Sequence, residues 1–149
     1  MAHDFKNFPE LTNSQMQIYY VESPHKQITE DFRARVVKVS DGDTVRLKAD
    51  FRDFNFPLRI SKLAAPELNE RGGVESQKWL EGEILNKEVD IILSRSRVEK
   101  WGRLLGSIIS RGMDIAELST ITGHGVAWED RETSGQVPNF SREIEGFKP

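Results

Sequence analysis

Between Arg35 and Ser61 the chain alternates with a period of two, and this most narrows what it can fold into. In an extended strand successive side chains point to opposite faces, so an apolar-polar alternation builds one buried and one solvated face. Arg35-Val36-Val37-Lys38-Val39 is rich in β-branched residues. Asp41-Gly42 is a turn dipeptide. Val45, Leu47 and Ala49 then alternate with Thr44, Arg46 and Lys48. After a polar break, Phe54, Phe56, Leu58 and Ile60 alternate with Asn55, Pro57, Arg59 and Ser61. Three strands joined by short connections make a meander.

The period changes in residues 74–86, where Val74, Trp79, Leu80, Ile84 and Leu85 fall at helical spacing among Glu, Gln and Lys. Two more strands are expected at Val89–Leu93 and Leu104–Ile109, with a turn at Arg111-Gly112. A helix is expected at Ile115–Ile121, with Gly123 just past its end. The order is β-β-β-α-β-β-α. Five short strands with a helix after the third predict an α+β fold, a five-stranded Greek-key barrel of the OB type.

The ends read differently. Residues 1–32 form an N-terminal arm with Phe5, Phe8, Leu11, Met16, Ile18, Tyr19, Tyr20 and Val21. Thr12-Asn13-Ser14 can cap a short helix, and Ser23-Pro24 is a second helix-start signal. The arm's apolar surface can pack on its own barrel or on a partner protein. Residues 129–149 have little periodicity and read as an irregular tail that can also meet a partner. Residues 33–128 remain as the barrel.

Charge limits the function classes. Residues 33–128 carry 16 Lys/Arg and 14 Asp/Glu, while both ends are acidic. A non-specific nucleic-acid binder has a larger basic excess, so any such contact here is made through a local site. The chain has no cysteine, which excludes disulfides, thiolate metal sites and a cysteine nucleophile. His3, His25 and His124 have no metal-ligand spacing, and His124, between two glycines, reads as a loop residue. No apolar run approaches the ~18 residues of a membrane span. The start, Met1-Ala2-His3-Asp4-Phe5-Lys6, has neither the basic nor the apolar segment of a secretory signal. The expected location is cytoplasmic or within a particle such as a virion.

Four motifs fall at the edges of these elements. Ser40-Asp41-Gly42-Asp43-Thr44 joins strands one and two; such a sequence is a turn far more often than a metal loop. Arg59 sits on the polar face of strand three. Ala64-Ala65-Pro66-Glu67 follows that strand. Lys100-Trp101-Gly102-Arg103 opens strand five and sets a cation beside an aromatic ring, where Trp101 either covers the core or offers a stacking face. Trp79 is expected in the core.

In this order the motifs are more specific than any one alone, and residues 33–128 resemble the staphylococcal (thermo)nuclease family. The match runs through residues 37–45, Leu58-Arg59-Ile60, Ala65-Pro66-Glu67, residues 101–104 and Gly125-Val126-Ala127. The resemblance implies an OB-like barrel and a phage or bacterial endonuclease, a metal-dependent hydrolase cutting DNA or RNA with little sequence preference. It places Arg59 and Arg103 at the two phosphate-binding positions, where guanidinium donates in a fork and keeps its charge. Glu67 takes the position that orients or deprotonates water. Asp43, Asp41 and the Ala65 carbonyl take the calcium-site positions, and Lys100 and Trp101 those facing substrate. Ca²⁺ is the cofactor the family implies, with Mg²⁺ or Mn²⁺ as substitutes.

The sequence departs from the family in three places. Ala64 stands where the family has a carboxylate ligand, so calcium should bind weakly; Asn69 and Glu70 are the nearby candidates to replace it. Leu68–Gly73 is shorter than the family's mobile loop, and the family's last helix is replaced by the tail. A second function class therefore stands beside the enzyme: a nuclease-fold module that binds nucleic acid or builds a nucleoprotein particle without cutting.

Overall fold

Val36, Val39, Val45, Leu47, Ala49, Phe56, Leu58 and Ile60, most of the apolar members of the first three alternating runs, are buried. They line the inside of a closed barrel in the computed structural model, which describes residues 3–127. The barrel strands are β1 (Phe32–Asp41), β2 (Thr44–Lys48), β3 (Phe56–Ile60), β5 (Glu88–Val98) and β6 (Leu104–Ser110). Between β3 and β5 come the two-residue β4 (Leu63–Ala64) and helix α2 (Gly73–Ile84). After β6 follow β7 (Met113–Asp114), α3 (Ile115–Ile121) and β8 (Val126–Ala127), with β8 paired to β4. The sheet runs β3-β2-β1-β5-β6-β7, and a parallel β3–β6 pairing closes it. The expected five-stranded barrel is present, with its edges removed by closure. No helix among the described residues is long and apolar enough to cross a membrane. The expected tail at 129–149 lies outside the described residues.

Helix α2 buries Ser76, Leu80 and Ile84, a four-residue spacing on one face. It ends two residues earlier than the periodicity predicts. Leu85 is already extended, and the Asn86 N–H donates to the Val36 carbonyl at 2.7 Å, drawing the chain into β5. Strand β3 starts at Phe56 rather than Phe54, because the Phe54 ring packs edge-on against His25 of the arm at 5.1 Å. Strand β5 outlasts its predicted end at Leu93; the polar run Ser94–Arg97 continues it through a register shift that local alternation does not show. Helix α3 matches its predicted bounds, capped by Asp114, whose carboxylate accepts the Ala116 N–H at 2.8 Å.

The arm packs on its own barrel. Thr12 caps α1 (Asn13–Tyr19) with a reciprocal Gln15 contact, as its sequence predicts. Ser23-Pro24 starts no helix: the Ser23 hydroxyl donates to the His25 carbonyl at 2.8 Å and accepts from Gln27 Nε2 at 2.9 Å, which makes a turn instead. Leu11 and Ile28 are buried, each worth roughly 1.5–3 kcal/mol. Between them lies a buried ion cluster. The Glu10 carboxylate pairs with Arg52 and, at 3.8 Å, with Arg97, and accepts the Ile28 N–H at 3.2 Å. Arg97 donates to the carbonyls of Leu11 and Ile28, and the Arg52 guanidinium sits over Phe54 and Phe56 at 4.9 and 4.7 Å. The arm still exposes Ile18, Tyr19, Tyr20 and Val21.

Candidate active site

The Gly42-Asp43 turn between β1 and β2 is pressed against α2. A Cβ on Gly42 would lie 2.1 Å from Ser76 Oγ and 2.8 Å from the Ala65 Cβ, so only glycine fits. Gln77 of α2 donates to the Val39 carbonyl at 3.1 Å, which anchors the same hairpin. The turn is thereby fixed at the barrel rim with the Asp43 side chain nearly buried.

Its neighbour Thr44 and two other segments converge on that carboxylate. Thr44 donates its hydroxyl to Asp43 Oδ1 at 3.1 Å. The Ala65 N–H donates to Oδ2 at 3.1 Å. Arg59 Nη2 lies 3.3 Å from Oδ2, and Arg59 faces Thr44 directly across the β2–β3 pair. Asp41 accepts the Asp43 N–H at 3.1 Å. Arg103 reaches the group through Thr44, with Nη1 3.5 Å from the hydroxyl oxygen. Burial pushes the Asp43 carboxyl up to about 7; Arg59 pulls it down and the neighbouring Asp41 raises it further. Burial thus favours the protonated form of this carboxylate over what an exposed one would show.

The arrangement brings together Asp41, Asp43, Arg59, Arg103 and the Ala65 backbone. It leaves Glu67 apart. Glu67 is exposed, and its carboxylate makes no hydrogen bond or ion pair among the described residues. Its loop is nonetheless shaped: the Glu67 N–H donates to Glu70 Oε1 at 2.7 Å, and a Cβ on Gly73 would lie 1.8 Å from the Glu67 carbonyl oxygen. Glu70 therefore caps the short loop, and a role for it as a replacement ligand finds no contact here. Lys100 Nζ sits 5.2 Å from the centre of the Trp101 ring, and Trp101 is 64% exposed, so it does not cover the core. Trp79 is half-buried against the core, and His124 stacks on it at 5.0 Å with the rings 12° from parallel.

Sequence reasoning missed Glu99. Its carboxylate pairs with Arg103 at 2.8 Å and accepts the N–H groups of Trp101 and Arg103 at 2.8 and 3.2 Å. It thus organises the hairpin tip and aims the guanidinium. The available signal was a Glu four residues before an Arg, which a helix reading would treat as a surface pair. Burial works against the charge on Arg103, but Glu99 outweighs it and holds the proton more firmly.

A divalent ion would be held only loosely by this donor set. Asp41 and Asp43 are two adjacent carboxylates, yet no group of three or more metal-binding acid, His or Cys side chains gathers among the described residues. Such a set fits an ion that keeps most of its waters, as Mg²⁺ and Mn²⁺ do, better than calcium with its six to eight ligands. Ala64 is the last residue of β4 and only 6% exposed, so this strand end is not open to water. Ala64→Asp is accordingly expected to cost about 1–3 kcal/mol without metal, the desolvation of an unpaired polar group. With calcium it should regain most of that loss and bind the ion at least about tenfold more tightly, since affinity follows ligand charge. Calcium titration and thermal melts of both proteins check this; unchanged calcium affinity refutes the depleted-ligand account.

No protein-family model matches the chain, and no curated protein matches it.

Proposed function

We propose that this chain is a divalent-metal-dependent phosphodiesterase of the staphylococcal-nuclease type, acting on DNA or RNA. The observation that carries the reading is the convergence on Asp43 of three of the four motif segments, with Arg103 of the fourth linked through Thr44. Phosphodiester hydrolysis needs charge neutralised on the phosphate oxygens, a water made nucleophilic and a leaving oxygen stabilised. Arg59, across the β2–β3 pair from Thr44, and Arg103, 3.5 Å from the Thr44 hydroxyl, supply fixed guanidinium donors. Glu67, exposed and with no bond among the described residues, is available to orient or deprotonate the attacking water. Asp41 and Asp43, with the Ala65 carbonyl, would hold the metal ion. When bound, that ion polarises the phosphate and lowers the pKa of coordinated water. Trp101 and Lys100 present a stacking face and a cation to the nucleic acid; stacking is worth roughly 1–3 kcal/mol per base.

The second reading is a binding or structural module in a nucleoprotein assembly such as a virion. It is favoured by Ala64, a buried methyl group where the family pattern has a carboxylate, and by the aromatic surface left exposed on the arm. A labelled polynucleotide incubated with Ca²⁺, Mg²⁺ or Mn²⁺ separates the two. The enzyme reading expects metal-dependent cleavage, fastest in Mg²⁺ or Mn²⁺, and a drop of about a hundredfold or more in Glu67→Gln with folding intact. Binding without cleavage in every metal establishes the second reading.

A further inference from the structure

Gly102, at the tip of the β5–β6 hairpin beside Arg103, has φ +93°. A Cβ there would lie 2.9 Å from the Phe8 Cβ and 3.1 Å from His3 Cε1, so the N-terminal segment rests directly on the hairpin backbone. That segment is itself a closed turn. The Asp4 carboxylate accepts the N–H groups of Lys6 and Asn7, both at 3.1 Å, and the Asp4 carbonyl accepts the Phe8 N–H at 2.9 Å. Behind it the Pro9 carbonyl accepts from His25 Nε2 at 2.6 Å and from Gln27 Nε2 at 3.1 Å. Glu10 then enters the buried ion cluster. The turn is therefore anchored firmly to the barrel on one side and touches the hairpin on the other.

The hairpin needs such a support. Trp101 points to solvent and holds nothing in place. Glu99 closes the tip internally, with Gly102 N–H on its carbonyl at 2.9 Å, but does not fix the tip relative to the rest of the protein. We propose that Phe8 and His3 are positioning residues: the arm is one wall of the candidate site and holds the Trp101–Gly102–Arg103 tip where Arg103 meets Thr44 and, through it, Asp43. The proposal rests on the phosphodiesterase reading for its functional half. Arm residues act here through Arg103 and do not touch substrate.

The test uses the full-length chain carrying Phe8→Ala or the volume-retaining Phe8→Leu. Amide hydrogen exchange reads the positioning, and steady-state cleavage of a labelled polynucleotide reads its consequence. Phe8→Ala is expected to speed exchange at the Gly102 and Arg103 amides about tenfold or more, while amides of β1 keep their protection. The same variant should lose about ten- to a hundredfold in kcat, since a displacement of about 1 Å at a reacting contact has that effect, and Phe8→Leu should restore both readouts. Unchanged exchange at the tip overturns the positioning role. Faster exchange with an unchanged kcat overturns the arm's part in the site and leaves the phosphodiesterase reading intact. A wild type that cleaves nothing in any metal overturns that reading and the functional half of this proposal with it. The exchange pattern then still decides whether the arm holds the hairpin.

Discussion

Glu10→Ala is expected to destabilise the protein by about 3–5 kcal/mol, the usual loss when one partner of a buried ion pair is removed. The variant leaves Arg52 and Arg97, both about 5% exposed, as two buried cations with no carboxylate between them. Arg52 keeps its two aromatic faces and the Lys26 carbonyl, and Arg97 keeps the carbonyls of Leu11 and Ile28. These dipoles hold the guanidinium groups without neutralising them. The melting temperature should fall on the order of 10 °C. Denaturant unfolding of the two proteins measures the loss directly. A change below about 1 kcal/mol would mean that the Glu10 carboxylate contributes little to holding the arm on the barrel.

The second large effect is catalytic. Arg59→Lys keeps a positive charge near Asp43 but loses the planar fork that can hold Asp43 and a phosphate oxygen together. Turnover of a polynucleotide should fall about a hundred- to a thousandfold, as when a fixed donor to a developing oxyanion is removed. The melting temperature should move by only a few degrees. Equal turnover in the lysine variant sinks the assignment of Arg59 to the phosphate.

The barrel was readable because its signal is local. Alternation in Val45–Leu47–Ala49 and Phe56–Leu58–Ile60 reports which face is inside, and Asp41-Gly42 reports where the chain reverses. Gly123 likewise marks the end of α3 by its own conformational preference. The Asp-Gly-Asp turn, the two arginines and the Pro-Glu motif point to chemistry only as a set, through the family resemblance. What no local pattern carries is pairing across the chain. Glu10 meets Arg52 from 42 residues away, and the contact of Leu11 with Arg97 spans 86. In the sequence Glu10 is one acid of an acidic arm and Arg97 one polar residue of a polar run. For the same reason the arm's docking on Gly102, and the task of Glu99 in aiming Arg103, became visible only in three dimensions.

Asp43→Asn tests the central claim most directly, because it separates a residue kept for chemistry from one kept for folding. Asparagine preserves the shape and one acceptor oxygen, for either the Thr44 hydroxyl or the Ala65 N–H, while removing a carboxylate whose burial raises its pKa to about 7. Single-turnover cleavage at saturating Mn²⁺ and a thermal melt are measured side by side. The account predicts a folded protein melting within a few degrees of the wild type, with cleavage slower by about a hundredfold or more. A folded Asp43→Asn protein that cleaves at the wild-type rate would contradict it.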